Sequence, residues 1–422
     1  MSENVNVYGI CRIAEQNFLE SASRLKLEDS MVQRLINPKE KLEISLNPAL
    51  SNGKTVHLKS FIVRHNSALG PCKGGIRFTG DVTMEDVQGL AMEMTWKTSL
   101  IGVPFGGGKS GIKYDQTGLG EVDKETIIRS FTRAAMRHIG PEIYVPAPDI
   151  GTNETDMGHI KDCIAYSWGK STTDGCFVTG KPVILGGIEK RREATGRGVV
   201  YSTAAACKAL GRDISQMRVA VQGFGNVGSA AAEIIAAEYG AKVIAVSDIN
   251  GGVFNAEGLD IKSLIEYCKK TGGVTDFPGS ENISGSELLE TDCDILIPAA
   301  TQSQITLSNC KSVKADIIAE GANAPTDPQA DEVLSGSGKF IIPDILCNAG
   351  GVFVSYLEYT QETQREQMTG EMVCRRLKKR MESSFKEVYE YSNREKITMR
   401  QAAMDIAVKR VVEATKAMGA LP

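Results

Sequence analysis

Three lysines in the first half of the chain stand in settings that suit chemistry better than solvent. Lys73 lies in Gly70-Pro71-Cys72-Lys73-Gly74-Gly75, between small residues that let a ligand reach an ammonium. Lys97 shares the apolar stripe of a predicted helix with Leu90 and Met94, where a lysine is rarely buried without a partner. A stem that snorkels out at the helix end is the plainer alternative. Lys109 follows Gly106-Gly107-Gly108. The Gly-Lys-Ser run suggests a phosphate loop, but Val103 stands where that motif needs its first glycine, and no predicted strand feeds the loop. Asp149, in Pro146-Ala147-Pro148-Asp149, sits in a proline-stiffened loop, where a turn-capping role fits as well as a catalytic one. Several ammonium groups near glycine-lined backbone suit a substrate with two carboxylates. Their mutual repulsion lowers each pKa and favours a neutral lysine base.

The second half carries Gly223-Phe224-Gly225-Asn226-Val227-Gly228 between a predicted strand and a predicted helix. The first glycine makes a tight turn, the second admits a pyrophosphate to the backbone, and the third packs helix on strand. A following strand ends at Asp248, placed to accept hydrogen bonds from the hydroxyls of an adenosine ribose. Strand, loop, helix, strand and acid in that order predict dinucleotide binding.

These residues need a frame. A helix is predicted over 6–24, a strand over 55–66, and a helix capped by Thr83 and Asp86. A glycine-dense stretch over 102–111 and a helix through 129–137 follow, and the glycines of 180–198 mark passage into a new domain. From Gly198 onward short apolar runs at 218–222, 242–246, 293–298, 315–319 and 340–343 alternate with helices. That alternation predicts an α/β fold with a doubly wound parallel sheet buried on both faces. The end of the chain is helical, with Thr398 as an N-cap and the basic run 375–380 as a solvated face.

The 422 residues predict two or three domains, and a net charge of −4 gives no footprint for nucleic acid or an anionic membrane. The N-terminus lacks the pattern of a secretory signal, so ten scattered cysteines without a Cys-x-x-Cys pair are expected as free thiols in the cytoplasm. Four histidines without ligand spacing argue for no metal.

The segments 70–78, 94–97, 104–111, 146–152, 179–182, 194–196, 223–228, 320–323 and 348–355, taken in order over nearly the whole chain, resemble glutamate dehydrogenases of the small hexameric type within the Glu/Leu/Phe/Val dehydrogenase family. The resemblance implies a substrate-binding and oligomerisation domain over 1–185, with 390–422 packing back on it, and a Rossmann-like coenzyme domain over 186–389. It also implies an active site in the cleft between them. It implies reversible oxidative deamination of L-glutamate by a homohexamer using a nicotinamide coenzyme; Asp248, with no Lys or Arg among its neighbours, favours NAD, with NADP or dual use as the fallback. Lys109 matches the catalytic lysine and Asp149 its proton-transfer partner. Lys73 and Ser355 match the site for the side-chain carboxylate. Lys97, Met94 and the backbone at Gly74 match that for the α-carboxylate. Thr195 and Asn226 fall at coenzyme contacts, and Asn323 and Asn348 line the same cleft.

Ile188 and Lys190 depart from the family's Gly-Gly-Ser-x-Gly-Arg, and Gln116 replaces a usual proline. The rivals are a leucine- or phenylalanine-type dehydrogenase, whose pocket would lack Lys73 and Ser355, and a non-catalytic coenzyme-binding homologue, which would have lost Lys109 or Asp149.

Overall fold

A computed structural model describes residues 9–170 and 175–419. They fall into two compact units, one built from Gly9–Arg191, Val352–Cys374 and 404–419, the other from Arg192–Gly351 and Arg375–Ala403.

In the first unit α1 (Ile10–Arg24) and α2 (Asp29–Ile36) precede β1 (Glu40–Leu46), β2 (Leu58–Asn66) and β3 (Cys72–Thr79). Then come α3 (Met84–Leu100), β4 (Gly106–Lys113), α4 (Glu121–Ala135), β5 (Tyr144–Pro148) and α5 (Glu154–Ser167). Positions 6–8 of the helix expected over 6–24 lie outside the described residues. The strands form one sheet in the order β1-β2-β4-β3-β5, antiparallel from β1 to β4 and parallel from β4 to β5. The predicted Thr83–Asp86 capping box starts α3, which buries Val87 and Leu90 and ends at the buried C-cap Ile101. Ile62, Ile76, Phe78 and Ile112 of the sheet pack with Ile127, Phe131 and Ile160 of α4 and α5 in one core.

The glycine-dense stretch after α3 is largely a strand rather than a loop. A Cβ on Gly106 would fall 1.9 Å from the Asn66 carbonyl oxygen, and one on Gly107 would fall 2.1 Å from Thr95 Oγ1. These glycines are therefore spacers that let β4 lie against β2 and α3, which overrides their low strand propensity.

The second unit begins with α6 (Ala194–Ala209), β6 (Arg218–Gln222), α7 (Asn226–Tyr239), β7 (Lys242–Asp248) and β8 (Gly251–Phe254). It continues through α8 (Ile261–Thr271), β9 (Glu281–Ile283), α9 (Gly285–Leu289), β10 (Ile295–Pro298), β11 (Ile317–Ala319), α10 (Pro328–Gly336), β12 (Phe340–Ile342) and α11 (Asp344–Cys347). Its seven strands run β12-β11-β10-β6-β7-β8-β9, and the five from β12 to β7 are parallel. The chain leaves β6 toward β7 and later returns to β10 on the other side of β6. That reversal makes the carboxyl end of β6 a topological switch point, where such sheets bind ligands.

Three helices close the chain: α12 (Gly350–Gln364), α13 (Gly370–Glu395) and α14 (Met399–Ala417). Thr398 and Gln401 exchange capping bonds at the start of α14. Further along it Asp405 accepts hydrogen bonds from Ser21 and Arg24 of α1, and Ser99 donates to the Ala407 carbonyl. Among the described residues no helix is long and apolar enough to cross a membrane.

Candidate active site

Lys109 is the fourth residue of β4 and is 5% exposed. Its Nζ lies 2.7 Å from Asp149 Oδ2, and Arg77 Nε approaches the same oxygen at 3.3 Å. Asp149 follows β5, so the Lys109 side chain crosses β3 to reach it. A Cβ on Gly75 would fall 2.6 Å from Asp149 Cβ, so only glycine in β3 leaves room for the pair. The loop is pinned by Thr152, whose hydroxyl accepts from the Asp149 N–H at 2.9 Å and donates to the Ile76 carbonyl at 2.8 Å. Gln116, one of the departures from the resembled family, donates its amide to the Phe78 carbonyl and, at 3.2 Å, to that of Gly151, so it buttresses the same loop.

Burial lowers the pKa of Lys109, and the Arg77 and Lys97 cations push it further down against the pull of Asp149. Repulsion among the lysines, expected from sequence to be the cause, is thus secondary to desolvation. Burial would raise the Asp149 carboxyl, but Lys109 and Arg77 outweigh it and hold the group below the usual carboxylate range. An ionised acid beside a weakened lysine is the arrangement a proton relay requires.

Lys73, on β3, is 2% exposed, and its ammonium makes no ion pair or hydrogen bond among the described residues. Burial first, and Arg191 second, push its pKa down to about 7. Arg191 donates from Nε to the buried Ser355 Oγ of α12 at 3.0 Å. One turn on along α12, Glu358 is fully buried, accepting from the Gly180 N–H at 2.8 Å and from Lys181 Nζ at 2.7 Å. Lys73 and Arg191 thus repel each other, and neither has a carboxylate within ion-pair distance among the described residues. Sequence reasoning passed over Arg77, Arg191, Lys181 and Glu358, whose partners are distant in sequence. The motifs 70–78 and 179–182 that contain Arg77 and Lys181 were the available signal.

Lys97 and Met94 lie on α3, with Lys97 buried and Met94 partly so. Lys97 acts electrostatically on Lys109, which brings these two together. Gly74 does not open onto a ligand at its Cα: a Cβ there would fall 1.6 Å from the Gly108 carbonyl oxygen. It is a strand-packing glycine.

In the other unit the dinucleotide loop has the form expected of it. Gly223 adopts φ 88°, and a Cβ there would meet Ala300 Cα at 2.7 Å. Gly228 packs its α-carbon where a Cβ would meet the Gly223 carbonyl oxygen at 1.8 Å. A Cβ on Gly225 would meet nothing within 4 Å, which leaves the middle glycine open for a phosphate above the N-terminus of α7. Phe224 and Val227 are partly buried in this turn, and Asn226 is exposed at the first position of α7. Asp248 ends β7, with Oδ1 accepting from the Asn250 N–H at 2.7 Å and Oδ2 from the Val274 N–H at 2.8 Å.

Asn348 donates to Asn323 Oδ1 and to the Ala322 carbonyl, both at 3.1 Å, while its own Oδ1 is buried without a partner. An orphaned acceptor of this kind suits the amide of a bound coenzyme. The turn that carries Asn323 is held from behind, where Ala324, at φ 44°, donates its N–H to Asp344 at 2.8 Å. Arg400 ties Asp344, Glu320 and Asp331 together. Thr195 is partly buried on α6, whose Gly196 packs against α7 where a Cβ would meet the Val227 carbonyl oxygen at 2.6 Å.

A glycine-rich loop of dinucleotide-binding form on a parallel sheet, in one chain with a buried lysine–aspartate pair, has the form of a coenzyme-dependent dehydrogenase. Comparison with known proteins agrees. The model of the Glutamate/Leucine/Phenylalanine/Valine dehydrogenase family matches residues 186–419, and that of the Glu/Leu/Phe/Val dehydrogenase dimerisation domain matches 38–166. A glutamate dehydrogenase of Thermotoga maritima is 43% identical over 97% of this chain and 98% of its own length. The hetero-hexameric glutamate dehydrogenase of Thermus thermophilus, in a Leu-bound form, has a TM-score of 0.92 at 31% identity, covering 97% of this chain and 98% of that one. The glutamate dehydrogenase of Peptoniphilus asaccharolyticus has a TM-score of 0.85 at 32% identity, covering 97% and 99%. The chain belongs to the Glutamate/Leucine/Phenylalanine/Valine dehydrogenase family, whose members are amino-acid dehydrogenases that work with a nicotinamide coenzyme.

Proposed function

We propose that this dehydrogenase catalyses the reversible oxidative deamination of L-glutamate to 2-oxoglutarate and ammonia, with NAD in preference to NADP. The observation that carries the choice of glutamate is Lys73. A buried ammonium without a partner, beside Arg191 and Ser355, favours a side chain that ends in a carboxylate. An aliphatic side chain would leave that charge uncompensated, which disfavours the leucine- or phenylalanine-type reading.

The glycines 223–228, Asp248, Thr195, Asn323 and Asn348 are assigned to the coenzyme, which when bound accepts a hydride from the substrate Cα. Lys97, with Met94 and the backbone at Gly74, is assigned to the α-carboxylate, and Lys73 and Ser355 to the side-chain carboxylate. Lys109, neutral at the moment of reaction, takes a proton from the water that attacks the iminium carbon. Asp149 carries protons to and from the departing nitrogen. In the reductive direction the same two groups act in reverse.

The family's dimerisation domain, matched over 38–166, and the hetero-hexamer of the Thermus relative support hexameric assembly; that this chain forms it alone, as a homohexamer, is the expectation sedimentation analysis tests. The free cysteines among the described residues suit the reducing cytoplasm as its location. Steady-state rates across L-glutamate, L-leucine, L-phenylalanine and L-valine with both coenzymes test the substrate. Glutamate should lead by several powers of ten, because a site built for a polar group rejects analogues lacking it by about 10⁴. The double variant Lys73→Leu/Ser355→Val should lose glutamate turnover and gain on an apolar amino acid. A wild-type preference for leucine or phenylalanine would overturn the reading.

A further inference from the structure

Glu358 has no role in the reading above, yet it is a fully buried carboxylate that acts electrostatically on both Lys73 and Arg191. It does not pair with either. Gly180 N–H and the Lys181 backbone N–H and Nζ occupy its oxygens at 2.8, 3.3 and 2.7 Å, and Lys181 is anchored a second time on Glu362 at 2.9 Å. The carboxylate is thereby fixed on α12 one turn beyond Ser355, and direct pairing with Lys73 or Arg191 is prevented.

We propose that Glu358, clamped by Lys181, is the charge-setting residue of the side-chain carboxylate site: it raises the protonated fraction of Lys73 at neutral pH without pairing with Lys73 or Arg191, which leaves both to receive the substrate. It is a positioning residue that acts through Lys73, and the inference rests on the glutamate reading given above.

Four charged or titratable groups bear on Lys73. Arg191, on the segment before α6, and Lys181 oppose its charge. Cys176 and Glu358 favour it, but burial pushes the Cys176 thiol up, so that group stays neutral and Glu358 supplies the negative charge. For Arg191, burial lowers the pKa and Glu358 counters it. Without the fixed carboxylate a buried ammonium loses its proton before it meets a ligand, and a neutral amine holds a carboxylate poorly.

The test uses two competitive inhibitors, glutarate with two carboxylates and pentanoate with one, against wild type and Glu358→Gln. Lys73 titrates at about 7 with Glu358 in place. Losing the charge moves that titration to lower pH. Near pH 8 glutarate should then bind Glu358→Gln about tenfold more weakly, the effect of about one pKa unit. Near pH 5.5, below both titrations, the difference should shrink to less than about twofold. Pentanoate, which does not reach Lys73, should change little at either pH, and kcat should hold at saturating substrate.

Equal weakening at both pH values would mark Glu358 as merely structural, and unchanged glutarate binding would also overturn the proposal. Should Glu358→Gln fail to fold, Lys181→Met/Glu358→Gln replaces both halves of the buried pair. The influence of Glu358 on Lys73 outweighs that of Lys181, so a smaller shift in the same direction is expected, and an unshifted profile refutes the proposal. If wild type binds pentanoate as well as glutarate, it is the glutamate reading that fails. If wild type prefers glutarate and Glu358→Gln matches it, only the role of Glu358 fails.

Discussion

Lys109 and Asp149 are joined by a 2.7 Å ion pair that spans a strand belonging to neither of them. Lys109 lies on β4 and Asp149 follows β5, with β3 between. The bridge exists because β3 presents Gly75 beneath the aspartate. The geometry of the pair therefore depends on the sheet order, with Lys109 on a strand and Asp149 on a loop that Thr152 pins to the Ile76 carbonyl.

Lys109→Ala should lower kcat by at least about 10²-fold, the share typical of a positioned acid–base group. The dinucleotide loop belongs to the other unit, so binding of the reduced coenzyme, followed by fluorescence titration, should be nearly unchanged. A near-normal kcat would remove Lys109 from the mechanism.

Arg77 lowers the pKa of both members of the pair. Lys109 works as a base only when neutral, so oxidative deamination should rise with pH as the lysine loses its proton. Arg77→Gln removes a repelling cation and lets the lysine hold that proton to higher pH. The rising limb of kcat/KM should therefore move up by about one pH unit, and Arg77→Lys should restore most of the shift. A limb that stays in place would show that Arg77 only fastens the loop.

The coenzyme-type unit was the more legible half of the sequence. The strand expected at 218–222 is β6 without alteration, and the loop glycines behave one by one as their spacing predicts. That motif is local, with loop, helix start and acid on consecutive elements. The first unit was harder to read because its chemistry depends on approach between strands. Glycines at 106–108 look like a loop until the Asn66 carbonyl and Thr95 are seen filling the space of their missing side chains. Arg191 and Glu358 were invisible for a related reason. The contact of Arg191 with Ser355 spans 164 residues and that of Lys181 with Glu358 spans 177, which no local spacing can report.

Lys190 sits where the resembled family carries glycine, and its φ is 66°. The left-handed region costs a residue with a side chain about 1–2 kcal/mol, partly offset because glycine loses more backbone entropy on folding. Lys190→Gly should therefore stabilise the protein by about 0.5–1 kcal/mol, read as a raised midpoint in thermal or urea unfolding. Lys190 neighbours Arg191, so the same variant should be assayed for the KM of glutamate. A lower melting temperature would mean that contacts of the Lys190 side chain outweigh the strain.

The expected preference for NAD rests on Asp248, whose two oxygens each accept one backbone N–H, from Asn250 and from Val274. These bonds fix the carboxylate at the end of β7 and leave a lone pair on each oxygen for the ribose hydroxyls. The negative charge also opposes the 2′-phosphate of NADP unless a cation intervenes. Of the two lysines near the end of α8, Lys269 is engaged by Glu266 at 2.7 Å. Wild type should therefore show the higher kcat/KM with NAD. Asp248→Asn keeps the shape and one acceptor while removing the charge, so it should narrow the gap chiefly by improving NADP. Asp248→Ala should weaken NAD by about tenfold or more, since hydrogen bonds to a charged group are each worth about 1.5–3 kcal/mol. Initial rates with both coenzymes at neutral pH decide the matter. A wild-type preference for NADP would require a cation from elsewhere in the fold to neutralise Asp248, and Asp248→Asn would then leave the ratio of the two coenzymes unmoved.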